Sequence, residues 1–217
     1  MKFAFNRFEI DHHILKLTVG LIAITLANLT SFFSTSNIDS ISASYHQGGM
    51  ARDIFVGFLF AISAFLFAYN GYSPFEMLLA KLAAVSAIGV AIFPCSCGAY
   101  EVSLPYVHNA SAAVMFLVLT FYCLIFYRRA RGKGHRKADM RAVIYAICGF
   151  TILFSLAILV LDFLIGGSFS SKVPRLTFYG ERSGLIAFGI SWLVASRTLP
   201  FVTASQERVS VIPFTKT

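Results

Sequence analysis

Apolar positions fall into six blocks, 14–34, 54–72, 76–94, 107–127, 142–165 and 183–199, separated by short polar stretches. Runs of this length exceed what a soluble core needs and match the ~20 residues of a helix that crosses a bilayer. Lipid offers no hydrogen-bond partner, so each run must satisfy its own backbone, and each predicts an α-helix. The pattern predicts an all-α polytopic transmembrane bundle of six helices over residues 14–199. Residues 1–13 precede it, and a polar, partly disordered tail over 200–217 follows it. The first block is too long, and lacks an A-x-A-like site, for a cleaved signal peptide.

Within the blocks, small residues recur at helical spacing: Gly57, Ala61, Ala64 and Ala68 in the second, Ala80, Ala83, Ala84, Ala87 and Ala91 in the third, and Gly184, Ala187, Ser191 and Ala195 in the sixth. Such stripes let helix backbones approach closely and predict the packing faces. Asp53 lies one turn before Gly57, at the end of the second block's stripe. Asn28 and Thr30 are expected to face other helices, and Lys81 to snorkel to the interface. His12-His13 is expected to be a solvated pair beside the membrane. The two halves of the chain show no tandem repeat.

Charge changes the picture by giving it an orientation. The 217 residues are 57% hydrophobic and only 13% charged, with a formal net charge of +8. Fourteen of the eighteen Lys and Arg lie on the side of the termini, seven of them in the stretch Arg128 to Arg141. The opposite side holds Arg52, Lys172, Arg175 and Arg182. The positive-inside rule then puts both termini in the cytoplasm. The basic stretch predicts a loop facing anionic lipid headgroups and no nucleic-acid partner.

That orientation gathers a set of polar residues on the outer side. His46, Arg52 and Asp53 precede the second block, Glu101 and His108 the fourth, Glu181 and Arg182 the sixth, and Asp162 ends the fifth. Ionisable groups at a membrane boundary are costly unless paired or solvated. The predicted site is an outer-facing polar cluster of His46, Arg52, Asp53, His108, Glu181 and Arg182. Three readings are open: ion pairs that hold the bundle together, a pocket for a lipid headgroup or small solute, and a hydrolase in which His46, His108 and Asp53 hold zinc that activates water. Haem ligation would need histidines within facing helices, and a retinal site a lysine in the middle of a late helix; neither is present. Cys95 and Cys97 face the oxidising side, joined to each other or to a partner chain. Cys123 and Cys148 lie inside apolar blocks as small hydrophobes.

Two resemblances bear on function. Ser42-x-x-x-His46 followed by Asp53 resembles the Ser/His/Asp portion of the alkaline ceramidase and progestin-receptor-like membrane hydrolases, which implies zinc-dependent lipid hydrolysis. That superfamily has seven helices and a His-x-x-x-His in its last helix, and the last block here holds no histidine. Over residues 42–199 the chain resembles six-helix bacterial membrane proteins of unknown function, distantly similar to the DRAM/Sfk-type family of eukaryotes. The shared features are Ala51-Arg-Asp-Ile-Phe-Val-Gly57, Phe93-Pro94, Val107-His108-Asn-Ala-Ser111-Ala and Glu181-Arg-Ser-Gly-Leu-Ile-Ala-Phe-Gly-Ile-Ser-Trp192. This resemblance implies six helices, cytoplasmic termini and no catalytic chemistry. The expected function is therefore non-enzymatic, with no cofactor: a multi-pass protein of the bacterial inner membrane that binds membrane lipids or other membrane subunits. The runner-up is a metal-dependent lipid hydrolase.

Overall fold

A computed structural model describes residues 11–97, 100 and 102–210. Among these the chain is all-α, with no strand. The helices are α1 (His12–Phe33), α2 (Ser44–Gln47), α3 (Gly49–Ala68), α4 (Pro74–Ile92), α5 (Pro105–Arg131), α6 (Arg136–Leu164) and α7 (Leu176–Ala195). Five of them, α1, α3, α4, α5 and α6, are long and apolar enough to cross a membrane, which makes this a multi-pass membrane protein. α7 carries Glu181 and Arg182 and falls outside that set of five. α2 is a single turn in the loop between the first two long helices.

Helix starts are written locally. Asp11 caps α1 by accepting a hydrogen bond from His13 N at 2.7 Å. Ser73 caps α4 by accepting from Glu76 N at 3.2 Å, with Pro74 in the first turn, where its missing N–H costs nothing.

The six long helices form a closed ring. α1 touches α3, α3 touches α4, α4 touches α5, α5 touches α6, α6 touches α7, and α7 returns to α1. Trp192 of α7 is fully enclosed, with the rings of Tyr69, Tyr122 and Phe188 at 5.4, 5.6 and 5.4 Å. The outside is apolar: Phe67, Leu78, Val85, Ile147, Phe150 and Phe154 are exposed. On a soluble surface this would be an aggregation hazard; here it is the lipid-facing wall. In lipid such helices are held by close packing and satisfied polar groups rather than by water release.

Two of the predicted small-residue faces are buried as expected: the alanines of α4, and Gly184, Ala187, Ser191 and Ala195 of α7. Two helix backbones also approach closely at another point, between Gly20 of α1 and Gly189 of α7. A Cβ on Gly189 would meet Gly20 O at 2.7 Å and Ile24 Cγ1 at 2.5 Å. The stripe on α3 is different. Gly57 and Ala64 are exposed, and a Cβ on Gly57 would meet nothing within 4 Å. α3 instead buries Phe55, Leu59, Ile62 and Leu66. Large residues outcompete small ones for the inward face, and Asp53, aligned with Gly57, is exposed with it.

Thr30 is buried as expected, and Asn28, though exposed, meets α7: its amide donates to Ile24 O at 2.8 Å and its carbonyl accepts from Arg182 at 2.8 Å. Another expectation is corrected. His12 and His13 are half-buried rather than solvated. The His12 ring sits 5.2 Å from that of Tyr69, and His13 Nδ1 bonds Ser196 O at 3.0 Å.

The basic stretch is two helix ends joined by a turn over 132–135, not an extended loop. Arg128, Arg129 and Arg131 occupy the last turn of α5, where the helix dipole favours cations. The tail folds back over this end. Arg141, buried in α6, donates to Val202 O at 3.1 Å and to Glu207 Oε2 at 2.6 Å. Lys133 donates to the other Glu207 oxygen, and Lys137 to Pro200 O and Thr203 O at 2.9 and 3.0 Å. Burial alone would raise the Glu207 pKa, but hydrogen bonds from Lys133 and Arg141, and their charges, bring it down to about 2. The tail is thus docked through residue 210. Residues 211–217 lie outside the described residues.

Candidate functional site

The end of the ring away from the start of α1 is built on the loop over 34–43, which hangs from the start of α7. Phe178 N donates to Asp39 O at 2.9 Å, and Arg175 Nε to Ile38 O at 2.9 Å. Glu181, one turn further on, takes three hydrogen bonds: from Ile41 N at 2.5 Å, Ser42 N at 3.3 Å and Ser42 Oγ at 2.9 Å. Its carboxylate is satisfied by backbone and hydroxyl donors of the loop, with no Arg in ion-pairing distance among the described residues. Arg182 turns away to Asn28 and stands 5.9 Å from the Phe178 ring.

The two histidines meet one segment. His108, buried in the first turns of α5, bonds Phe93 O through Nδ1 at 2.7 Å. His46, in α2, bonds Cys95 O through Nε2 at 2.7 Å. A carbonyl only accepts, so His108 Nδ1 and His46 Nε2 donate. His108 Nε2 is buried without a hydrogen-bond partner among the described residues. His46 stacks on Tyr100, centroids 4.3 Å apart. Cys95 and Cys97 are joined to each other by a disulfide, and Ser40 Oγ lies 3.7 Å from Cys97 Sγ. Cys123 and Cys148 are buried free thiols. α5 comes close enough for His108 to reach Phe93 because α4 has Gly89 there: a Cβ at that position would meet Ser111 Oγ at 2.3 Å.

Arg52 and Asp53 make a further arrangement. Arg52 Nε lies 3.4 Å from Asp53 Oδ1, and both side chains are half exposed or more. They stand at the rim of a groove of about 570 Å³ lined by Tyr45, Arg52, Asp53, Val56, Gly57, Phe60, Ala91 and Ile92. At 1.5 Å per residue, the α3 side of that groove runs about 12 Å from Arg52 to Phe60. Its polar end is at the start of the helix, and the rest is apolar.

The predicted cluster is therefore distributed over four local arrangements: Glu181 with Ser42, Arg182 with Asn28, His46 and His108 on the Phe93–Cys95 segment, and Arg52 with Asp53 on the groove. Asp162 caps its own loop, accepting from Phe169 N at 2.7 Å and Ser170 N at 3.1 Å. Glu101 lies outside the described residues. Among the described residues no three His, Cys, Asp or Glu side chains are grouped as a metal ion needs. His46 Nε2 is turned to a carbonyl, and Asp53 to Arg52. The groove itself was not predicted as such. The sequence signal for it is the open spacing Asp53–Gly57–Phe60 read together with the end of α4.

The chain matches no family model, and neither a curated protein nor a solved structure matches it.

Proposed function

We propose that this protein binds a membrane phospholipid in the groove between α3 and the end of α4, and that it does so without catalysis. The observation that carries this reading is the order of the groove lining: a side-by-side cation and anion at the rim, then Val56, Gly57, Phe60, Ala91 and Ile92 below. A zwitterionic headgroup offers a phosphate to Arg52 and an ammonium to Asp53, and one acyl chain matches the apolar trough. An exposed pair of this kind contributes only ~0–1 kcal/mol to stability, so a structural role explains it poorly. The open face of α3, where Gly57 leaves room, supports the same reading.

The proposal includes six crossings, with α7 as the last, both termini in the cytoplasm of a bacterial inner membrane, and kinship with the DRAM/Sfk-like six-helix proteins. At 20 residues α7 is about 30 Å long, enough to cross. Its Glu181 and Arg182 sit in the first turns, near the outer boundary. The density of Lys and Arg at the opposite end supports the orientation.

The test is native mass spectrometry of the chain released from phosphatidylethanolamine-rich nanodiscs. A retained phospholipid that disappears in Arg52→Ala is the expected result. Retention equal to that of wild type in Arg52→Ala and in Gly57→Leu would sink the reading.

A further inference from the structure

A second pocket lies at the opposite end of the bundle, where α1 begins and α7 ends, and its lining is strongly cationic. It measures about 30 Å³ and is lined by Lys16, Arg129, Lys133, Arg141 and Arg197 together with Tyr72, Phe126 and Tyr145. Three of the five cations have carboxylate partners. Arg129 pairs with Glu76, and Lys133 and Arg141 share Glu207. Two cations have none among the described residues: Lys16 and Arg197. With Lys16 protonated, the excess over Glu76 and Glu207 is three positive charges.

Lys16 is the telling residue. It is buried, with only 3% of the residue exposed. It has no hydrogen bond and no ion pair among the described residues. It is held only by rings, with Nζ 5.2, 5.0 and 5.4 Å from the centroids of Tyr69, Tyr72 and Phe126. An ammonium held among rings with no acceptor is costly, and it either gives up its proton or takes on a counter-charge. Arg197 adds a second cost. It sits just past the end of α7 at φ +58°, a left-handed position that usually goes to glycine, and placing an arginine there costs ~1 kcal/mol or more. The chain thus places one unpaired cation in a buried site and another on an unfavourable backbone, both facing one small cavity.

We propose that this pocket binds a phosphate group carrying two negative charges. The cavity holds two to three times the ~10–15 Å³ that one water needs. That is room for a compact tetrahedral oxyanion. A phosphate monoester carries ≈ −1.5 to −2 charges at neutral pH and three acceptor oxygens. Those oxygens satisfy the Lys16 ammonium and the Arg197 guanidinium together, while Glu76 and Tyr72 keep Arg129 in place beside them. The group belongs either to free phosphate or to a lipid whose headgroup is a phosphate monoester. This site is separate from the outer groove and does not depend on it.

The experiment uses the full chain and two probes at fixed ionic strength in chloride: inorganic phosphate, followed by calorimetry, and nanodiscs of phosphatidylcholine with or without phosphatidic acid, followed by thermal unfolding. Wild type is expected to bind at least one probe saturably. Arg197→Gly relieves the backbone and is expected to unfold at or above the wild-type temperature while binding about tenfold more weakly or worse. Lys16→Met is expected to lose binding likewise. Arg136→Ala, which removes an exposed arginine outside the pocket, is expected to bind as wild type. A response to phosphate alone identifies a soluble ligand, and a response to phosphatidic acid alone identifies a headgroup. No saturable binding of either probe overturns the proposal. Unchanged affinity in a folded Arg197→Gly, or the same loss in Arg136→Ala, also overturns it.

Discussion

Glu181 holds Ser42 at 2.9 Å across 139 residues of chain, and with Ile41 N and Ser42 N it anchors the loop over 34–43 to the last long helix. The contact joins two positions that each look functional in the sequence and makes them one structural joint. Replacing the carboxylate by an amide puts an NH₂ group among donors. Glu181→Gln is therefore expected to cost about 1–3 kcal/mol, read as a lower unfolding temperature in detergent, together with faster proteolysis between residues 35 and 47. An unchanged temperature and an intact loop would show that the joint carries little.

Gly189 and Gly57 are expected to respond in opposite directions to the same substitution. Gly189→Ala drives a methyl into Gly20 O and Ile24 and is expected to destabilise by about 1–3 kcal/mol, as overpacking does. Gly57→Ala meets open space and gains up to ~1 kcal/mol from helix propensity. Thermal unfolding of the two variants side by side checks this. Equal effects would mean that the α1–α7 approach is looser than described.

The Glu207 clasp sets an acid dependence. Its folded pKa is lowered to about 2, below the usual carboxylate value of about 4.3. The clasp therefore contributes stability that is fully present above the unfolded value and is lost as pH falls through the folded one. The stability difference between wild type and Glu207→Gln is expected to be constant at neutral pH and to shrink from about pH 5 down to about pH 2. A difference that grew on acidification would reverse the assignment. Tail proteolysis around Arg208 provides a second readout.

The proposed topology predicts a labelling pattern. Cys95 and Cys97 are disulfide-bonded at the outer end, and Cys123 and Cys148 are buried. An impermeant maleimide added to intact cells is expected to label the chain only after reduction, and not at all in Cys95→Ser/Cys97→Ser. Labelling of reduced protein only from the cytoplasmic side would invert the orientation.

The apolar runs were legible because lipid imposes one rule on every span, and five of the long helices follow it by length and composition alone. The α4 and α7 packing faces were legible for a similar reason, since small residues at helical spacing have few other uses. The α3 stripe misled because spacing tells which residues share a face and not which way the face turns. Here Phe55, Leu59 and Leu66 took the inside. Glu181 with Ser42 was not legible, because a carboxylate satisfied by loop backbone leaves no periodic trace. Lys16 was visible only as one charge in a count. Its isolation among Tyr69, Tyr72 and Phe126 requires three helices to be in place.

The contact between Gly20 and Gly189 also bears on how the protein is made. Every other neighbouring pair in the ring is contiguous in synthesis order among the long helices, so those pairs can form while the ribosome is still at work. On the proposed six-crossing topology, α1 meets α7 only after the helices between them are made, so the seam between Gly20 and Gly189 is the last of the ring to close. A truncated product lacking α7 would keep an open seam on α1 and leave α6 without its partner, two features by which membrane quality control can distinguish an unfinished chain from a finished one.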